Sequence, residues 1–144
     1  MERTMREGTR PGIGSSGRIM NVILWILQIA AAGMFLMAGS MKLTGNAQMV
    51  GMFEAIGFGQ WFRYLTGAIE TGGAILLLIP RTSGVGALLL AGVMVGAVVT
   101  HLGIIGGSPM MPIVLLVVTS VVAWGRRERT MTLLTEPRVK RGNA

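Results

Sequence analysis

Long apolar runs, each near the length needed to cross a bilayer, constrain this chain more than any other feature. The first run covers residues 22–42, with Gln28 and Ser40 as the only strongly polar side chains before its last residue. Three more runs follow at residues 64–80, 84–102 and 109–124. At about 1.5 Å per residue, helices of these lengths reach roughly 24–32 Å, close to the hydrocarbon thickness of a bilayer. The pattern predicts an all-α fold, a four-helix transmembrane bundle.

Composition supports one membrane domain flanked by polar tails. Of the 144 residues, 51 % are hydrophobic and 13 % are charged, which is unlike a soluble protein of this size. We place the four-span domain at residues 19–127, between a basic, disordered tail at residues 1–18 and a polar basic tail at residues 128–144. A plainer interpretation of the first segment is that the native protein begins at Met20, after an extension added by gene prediction.

The distribution of basic residues sets the expected orientation. With four spans, both tails and the turn at Arg81 lie on one side, and that side holds every lysine and arginine except Lys42 and Arg63. Because loops rich in these residues stay in the cytoplasm, both termini are predicted to be cytoplasmic. A net charge of +7 could indicate nucleic acid, but the basic residues flank apolar runs, so we predict contact with membrane lipids and no nucleic acid. The residues predicted to mark the cytoplasmic boundary and to contact anionic lipid are Arg126, Arg127 and Arg129.

A short amphipathic helix is predicted between the first two spans. From Asn46 to Gly57, apolar side chains recur at helical spacing, whereas Gln48 and Glu54 fall outside that stripe. A helix of this kind lies in the membrane interface with its apolar face toward the acyl chains. The aromatic residues that follow are typical of the headgroup level: Trp61, Phe62 and Tyr64. The predicted bundle therefore carries an interfacial helix at its non-cytoplasmic end.

Glu70 is the most unusual residue of the second span, because a carboxylate inside an apolar run is costly. Such a group should face other helices or a wet cavity and be neutralised or paired. Three other ionisable residues lie toward the same, non-cytoplasmic end: Lys42, Arg63 and His101. The sequence therefore predicts a polar cluster there, and these four residues are the candidate ligand-binding residues.

Each candidate has a structural alternative. Glu70 either holds the polar group of a ligand or forms a structural pair with Arg63, which shares its helix face, or with Lys42. Lys42 is more typical of an interfacial anchor or counter-ion than of a ligand contact, and His101 is either a proton relay or a helix-end histidine satisfied locally. No metal site is predicted, since the chain has one histidine and no cysteine. The missing cysteines also exclude dithiol chemistry and thiolate-held clusters within this chain.

Three groups of residues at the ends of the spans form recognisable motifs. They are Gly39-Ser40-Met41-Lys42-Leu43, then the segment Trp61 to Gly67 followed by Glu70 and Gly73, and finally Thr100-His101-Leu102 with Gly107-Ser108-Pro109 and Pro112. Over about residues 20–127 the chain resembles the DoxX family of small four-span bacterial membrane proteins, in particular its DoxX-like branch. The resemblance implies location in the bacterial inner membrane. It also implies association with membrane oxidoreductase assemblies, including a thiosulfate–quinone oxidoreductase subunit and a thiol-stress complex, although most members have no assigned activity.

Three functions are compatible with these features. The first is an accessory, quinone-contacting subunit of a membrane oxidoreductase system, in which a quinone, a bound cofactor or a partner carries the electrons. The alternative is a small binding or transport protein for an apolar or amphiphilic molecule, and the third is a structural membrane partner. We identify no self-contained catalytic motif. The chain could act as a monomer or as a dimer through the small residues Gly92 and Gly96.

Overall fold

The computed structural model of the chain describes residues 14–135, which are helical apart from short connections. The six α-helices are α1 (Gly14–Leu43), α2 (Ala47–Ile56), α3 (Gln60–Leu78), α4 (Ser83–Thr100), α5 (Met110–Gly125) and α6 (Arg127–Thr135). A π-helical turn (His101–Ile105) continues α4. Between residues 14 and 135 there is no β-strand. The predicted all-α class is confirmed.

Four of these helices form a closed ring of neighbours. α1 packs against α3 and α5, while α4 packs against α3 and α5 from the other side. The centre of the ring is apolar, and its largest fully buried apolar side chains are Phe35, Leu77, Leu90 and Val122. α2 lies against α1, α3 and the π-helical turn, and α6 lies against α4 and α5. The outward faces of the ring carry exposed leucine, isoleucine and valine side chains.

Glycines let neighbouring helices approach closely. A Cβ atom on Gly86 of α4 would lie 2.6 Å from the backbone nitrogen of Leu77 and 2.8 Å from the carbonyl oxygen of Gly73, so α4 touches the backbone of α3. A Cβ atom on Gly39 of α1 would lie 3.0 Å from the carbonyl oxygen of Gly67 in α3. Small residues at such contacts are typical of helices that pack in membranes.

Within residues 14–135, length and composition qualify two helices as membrane spans: α1, and α4 together with the π-helical turn. α5 and α6 meet at a 61° bend and provide a third span if they are counted as one broken segment. α3 does not qualify although it has 19 residues, because Arg63 and Glu70 lower its hydropathy. α5 alone does not qualify because it has 16 residues. Length and composition thus give two or three spans, fewer than the four predicted.

α2 matches the short helix predicted between residues 46 and 57. The side chain of Asn46 caps its start by accepting a hydrogen bond from the backbone N–H of Gln48 at 3.0 Å. Gly57 ends it with φ +84°, a left-handed conformation that favours glycine. The predicted position of this helix in a membrane interface stays a prediction.

The structure describes one end of each predicted tail, and the N-terminal tail differs there from the predicted disorder. α1 begins at Gly14, so residues 14–18 are helical and not disordered, because adding turns to an existing helix avoids a new nucleation. α6 occupies the first part of the predicted C-terminal tail, since the chain bends after α5 and starts a new helix at Arg127. Residues 1–13 and 136–144 of the predicted tails lie outside the described residues.

Candidate functional site

A cavity of about 570 Å³ lies between α1, α3, α4 and α5, and α2 and the π-helical turn contribute to its wall. Most of this wall is apolar. Its polar and ionisable side chains are Lys42, Gln48, Thr66, Glu70, Thr100 and His101. Three of the four candidate residues chosen from the sequence therefore line one cavity, and Arg63 does not.

Lys42 and Glu70 form an ion pair in this wall. Nζ of Lys42 donates a hydrogen bond to Oε2 of Glu70 at 2.8 Å. The two side chains are 11 % and 3 % exposed, respectively, so protein covers most of both. Of the two partners considered for Glu70, the structure has Lys42, the residue from the neighbouring helix. Lys42 therefore has the counter-ion geometry, and a ligand role for either residue stays a prediction.

His101 begins the π-helical turn and lies half-buried at the cavity. Its Nδ1 is 2.8 Å from the backbone carbonyl oxygen of Ala97, one turn earlier in α4. Because a carbonyl oxygen can only accept, this contact places the proton on Nδ1 and leaves Nε2 of the neutral ring as an acceptor. One ring nitrogen is thus satisfied locally, as one alternative predicted, and the other can accept a hydrogen bond from a ligand.

Arg63 lies beside the ion pair but outside the cavity wall. Its Nη1 donates to the backbone carbonyl of Lys42, and its Nε donates to Oε1 of Gln60 at 2.6 Å. The guanidinium also lies 4.2 Å from the centroid of the Tyr64 ring. Arg63 and Glu70 share a face of α3, but two helical turns place their backbones about 10 Å apart. Arg63 therefore contacts the backbone that carries the lysine and not the carboxylate.

A comparison with protein-family models assigns the chain to a family. The model of the DoxX-like family matches residues 26–124. The chain belongs to the DoxX-like family. Neither the comparison with curated proteins nor the comparison with solved structures gave a match. The matched range includes every residue of the cavity wall, and family membership together with the apolar helices indicates a membrane protein.

A second buried polar network, which sequence analysis missed, lies at the other end of this DoxX-like protein. Gln28 of α1 donates through Nε2 to the carbonyl oxygen of Leu77 and accepts through Oε1 from Nε of Arg126, both at 2.8 Å. Nη1 of Arg126 donates to Oδ1 of Asn21 at 2.8 Å. Arg126 is 4 % exposed, so its predicted contact with anionic lipid is wrong, whereas the two arginines of α6 are exposed.

Arg126 lies at the bend between α5 and α6, where the two helix axes differ in direction by 61°. Oγ1 of Thr130 in α6 donates to the Arg126 carbonyl at 3.3 Å. Desolvation by burial, with a contribution from nearby Arg129, lowers the pKa of Arg126 from its ordinary value. The signal that could have revealed this network was Gln28, an amide within an otherwise apolar run.

The rest of the cavity wall is both apolar and adaptable. Four methionines line it: Met49, Met52, Met94 and Met111. Their unbranched thioether side chains can fill spaces of irregular shape. Within residues 14–135 there is no group of three or more His, Cys, Asp or Glu side chains that could hold a metal ion. The wall thus combines a few ionisable groups with a pliable apolar surface, which suits an amphiphilic ligand.

Proposed function

We propose that this DoxX-like protein crosses the bacterial inner membrane four times and binds an amphiphilic small molecule in the cavity. The spans are α1, α3, α4 with the π-helical turn, and α5, and both termini are cytoplasmic. α3 and α5 each pack against the two helices that have span length. The two charged side chains of α3, Arg63 and Glu70, are each 3 % exposed, so α3 presents an apolar face to lipid.

The observation that carries the proposal is the small set of polar side chains in the cavity wall, which is otherwise apolar. An ammonium group has three donors, and Lys42 uses one of them for Glu70. His101 lines the same cavity, and Nε2 of a ring protonated at Nδ1 can accept a hydrogen bond. A few convergent polar groups in an apolar cavity of about 570 Å³ are typical of small-molecule sites, which commonly range from about 300 to 1,000 Å³.

An isoprenoid quinone is the ligand class that matches these groups best. Its ring carbonyls can accept hydrogen bonds from Lys42, and the hydroxyl groups of its reduced form can donate to Glu70 or to Nε2 of His101. Its apolar tail suits the methionine-lined surface. In this role the protein is an accessory subunit of a membrane oxidoreductase system. A partner enzyme then exchanges electrons with the quinone, since the chain itself has no cysteine to hold a thiol-based redox centre.

Binding or transport of a different amphiphile is the second candidate function. The methionine-rich wall favours it, because such a surface can adapt to ligands of several shapes. Purification in mild detergent, followed by mass spectrometry of co-eluting small molecules and proteins, separates the candidates. A quinone or a redox enzyme supports the first function, and another bound amphiphile supports the second. A stable protein partner without any ligand supports a purely structural role.

Occlusion of the cavity tests whether the ligand sits there. Ala38→Phe adds a ring to the cavity wall, and Ala30→Phe adds the same ring to an exposed position of the same helix. With a benzoquinone that carries a ten-carbon tail as the probe, we expect Ala38→Phe to abolish binding and Ala30→Phe to bind like the wild type. Equal binding by all three proteins would place the probe elsewhere and contradict the proposal.

A further inference from the structure

A continuous set of hydrogen bonds, which we call the α2 relay, connects α2 with the ion pair in the cavity wall. Nε2 of Gln60 donates to the backbone carbonyl of Val50 in α2 at 3.2 Å, and Oε1 of Gln60 accepts from Nε of Arg63 at 2.6 Å. Nη1 of Arg63 donates to the backbone carbonyl of Lys42. Nζ of Lys42 completes the relay by donating to Glu70 at 2.8 Å.

Arg63 constrains the end of α1. The last carbonyl groups of a helix have no partner within that helix, and Arg63 supplies one for Lys42 from α3. The Arg63 side chain is 3 % exposed and forms no ion pair within residues 14–135. It is held instead by the Lys42 carbonyl, by Gln60 and by the face of the Tyr64 ring. The position of the Arg63 side chain therefore depends on Gln60, and the position of the Lys42 backbone depends on Arg63.

α2 is attached to the cavity wall less firmly than the four helices of the ring. Phe53 is its only buried side chain. Gly45 before it and Gly57 after it have φ angles of +74° and +84°, so the chain enters and leaves α2 through glycine conformations that other residues rarely adopt. An element with so little buried surface can be displaced at a lower free-energy cost than the four helices of the ring.

We propose that Gln60 and Arg63 are positioning residues, which couple the seating of α2 over the cavity to the placement of Lys42 beside Glu70. In this proposal, α2 moves to admit the amphiphilic ligand. The nature of the ligand rests on the proposed function, whereas the coupling belongs to the ligand-free protein. When α2 is seated, the relay fixes the backbone of Lys42. When α2 moves away, Gln60 loses its contact with α2, and this end of α1 is held less firmly.

Distances between pairs of spin labels test the coupling in the ligand-free protein. Because the chain has no cysteine, labelling sites can be introduced without background. The α2 pair replaces the exposed residues Glu54 and Leu88, and the control pair replaces the exposed residues Ile29 and Leu88 in α1 and α4. Two relay variants, Gln60→Ala and Arg63→Leu, are expected to broaden the distance distribution of the α2 pair. The distribution of the control pair should not change.

Binding of the ten-carbon benzoquinone probe supplies a second measurement. If Arg63→Leu lets the ammonium group of Lys42 move, the probe loses one hydrogen bond to a charged group, which corresponds to about tenfold weaker binding. We expect this loss although Arg63 does not line the cavity. Arg63→Lys can reach one of the two acceptors and should fall between Arg63→Leu and the wild type. Ser40→Ala is the matched control, because it removes only an exposed hydrogen bond within α1.

The outcomes separate this inference from the proposed function. If both relay variants leave the α2 pair unchanged, the coupling is refuted, even where probe binding weakens, because Arg63 then acts by another route. If the wild type does not bind the benzoquinone, the proposed ligand is wrong, and the distances still decide the coupling. If Arg63→Leu does not fold, Gln60→Ala gives the answer, since it removes both hydrogen bonds of Gln60 and leaves every buried charge in place.

Discussion

The ion pair between Lys42 and Glu70 can be tested by removing one charge at a time. Within residues 14–135, each of these residues has the other as its only ionic partner. Glu70→Gln keeps the shape of the side chain and removes its negative charge. The ammonium group of Lys42, on a side chain that is 11 % exposed, would then be buried without a counter-ion. We expect this variant to be clearly less stable than the wild type.

The expected magnitudes follow from the burial of the pair. Removing one partner of a buried pair costs about 3–5 kcal/mol of unfolding free energy, which is the loss expected for Glu70→Gln. Lys42→Met leaves a carboxylate that can take up a proton, so a smaller loss of about 1–3 kcal/mol is expected. The double variant contains neither charge and should lie within about 1.5 kcal/mol of the wild type. The double-mutant cycle should therefore give a coupling free energy of at least about 2.5 kcal/mol, because the two single losses together exceed the loss of the double variant by at least that amount.

Denaturant titration in mixed micelles of detergent and lipid, followed by circular dichroism, measures these free energies. Glu54→Gln is the matched control, because Glu54 lies exposed on α2, and its effect should stay within about 0.5 kcal/mol. Two results would refute the reasoning. The first is a Glu70→Gln variant as stable as Glu54→Gln, which would indicate a carboxyl that is already neutral. The second is a double variant whose loss equals the sum of the two single losses.

Three other structural features can each be tested with a single substitution. Gly86→Ala places a Cβ against the backbone of α3 and should lower the free energy of unfolding by about 2–3 kcal/mol. In the control Gly92→Ala the new Cβ meets no atom within 4 Å, so this variant should be neutral or more stable. Equal melting temperatures of the two variants would contradict this. Gln28→Leu removes a hydrogen bond from the buried guanidinium of Arg126 and should lower the free energy of unfolding by about 2–3 kcal/mol in the same denaturant titration. A loss below about 0.5 kcal/mol would show that the network is dispensable. A cysteine in place of Glu54 should react with a membrane-impermeant maleimide in intact cells, and reaction only after permeabilisation would reverse the proposed orientation.

The helices could be predicted from the sequence because their signals are local. Apolar runs ended by glycine, proline or charged residues give the positions of α1, α3, α4 and α5 to within a few residues, apart from the longer start of α1. The caps Asn46 and Gly57 give the bounds of α2. The shared location of Lys42, Glu70 and His101 also follows from the sequence, because the predicted spans alternate in direction: Lys42 ends the first span, Glu70 lies about two turns into the second, and His101 lies near the end of the third. Their role in ligand binding stays a prediction.

The contacts between helices could not be predicted, because they depend on residues far apart in the chain. The sequence left Arg63 and Lys42 open as partners for Glu70, and only the structure selects Lys42, which is 28 residues away on α1. Gln28 and Arg126 are separated by 98 residues, so no local pattern links them. Arg126 comes just after the last apolar run, as lipid-contacting arginines commonly do. Only the structure shows that it is buried, at the bend after α5.

The crossing of α1 and α3 gives the cavity a signature that can be sought in other members of the family. Lys42 and Glu70 each come three positions after a glycine of the crossing, Gly39 in α1 and Gly67 in α3. A Cβ on Gly67 would lie 2.9 Å from the Cβ of Lys42, so a larger residue there would force the two helices apart. A relative that keeps the acid and the base but replaces either glycine is therefore expected to hold its two charges out of contact. The pattern Gly-x-x-Lys in one helix with Gly-x-x-Glu in the next is accordingly more informative than either charge alone.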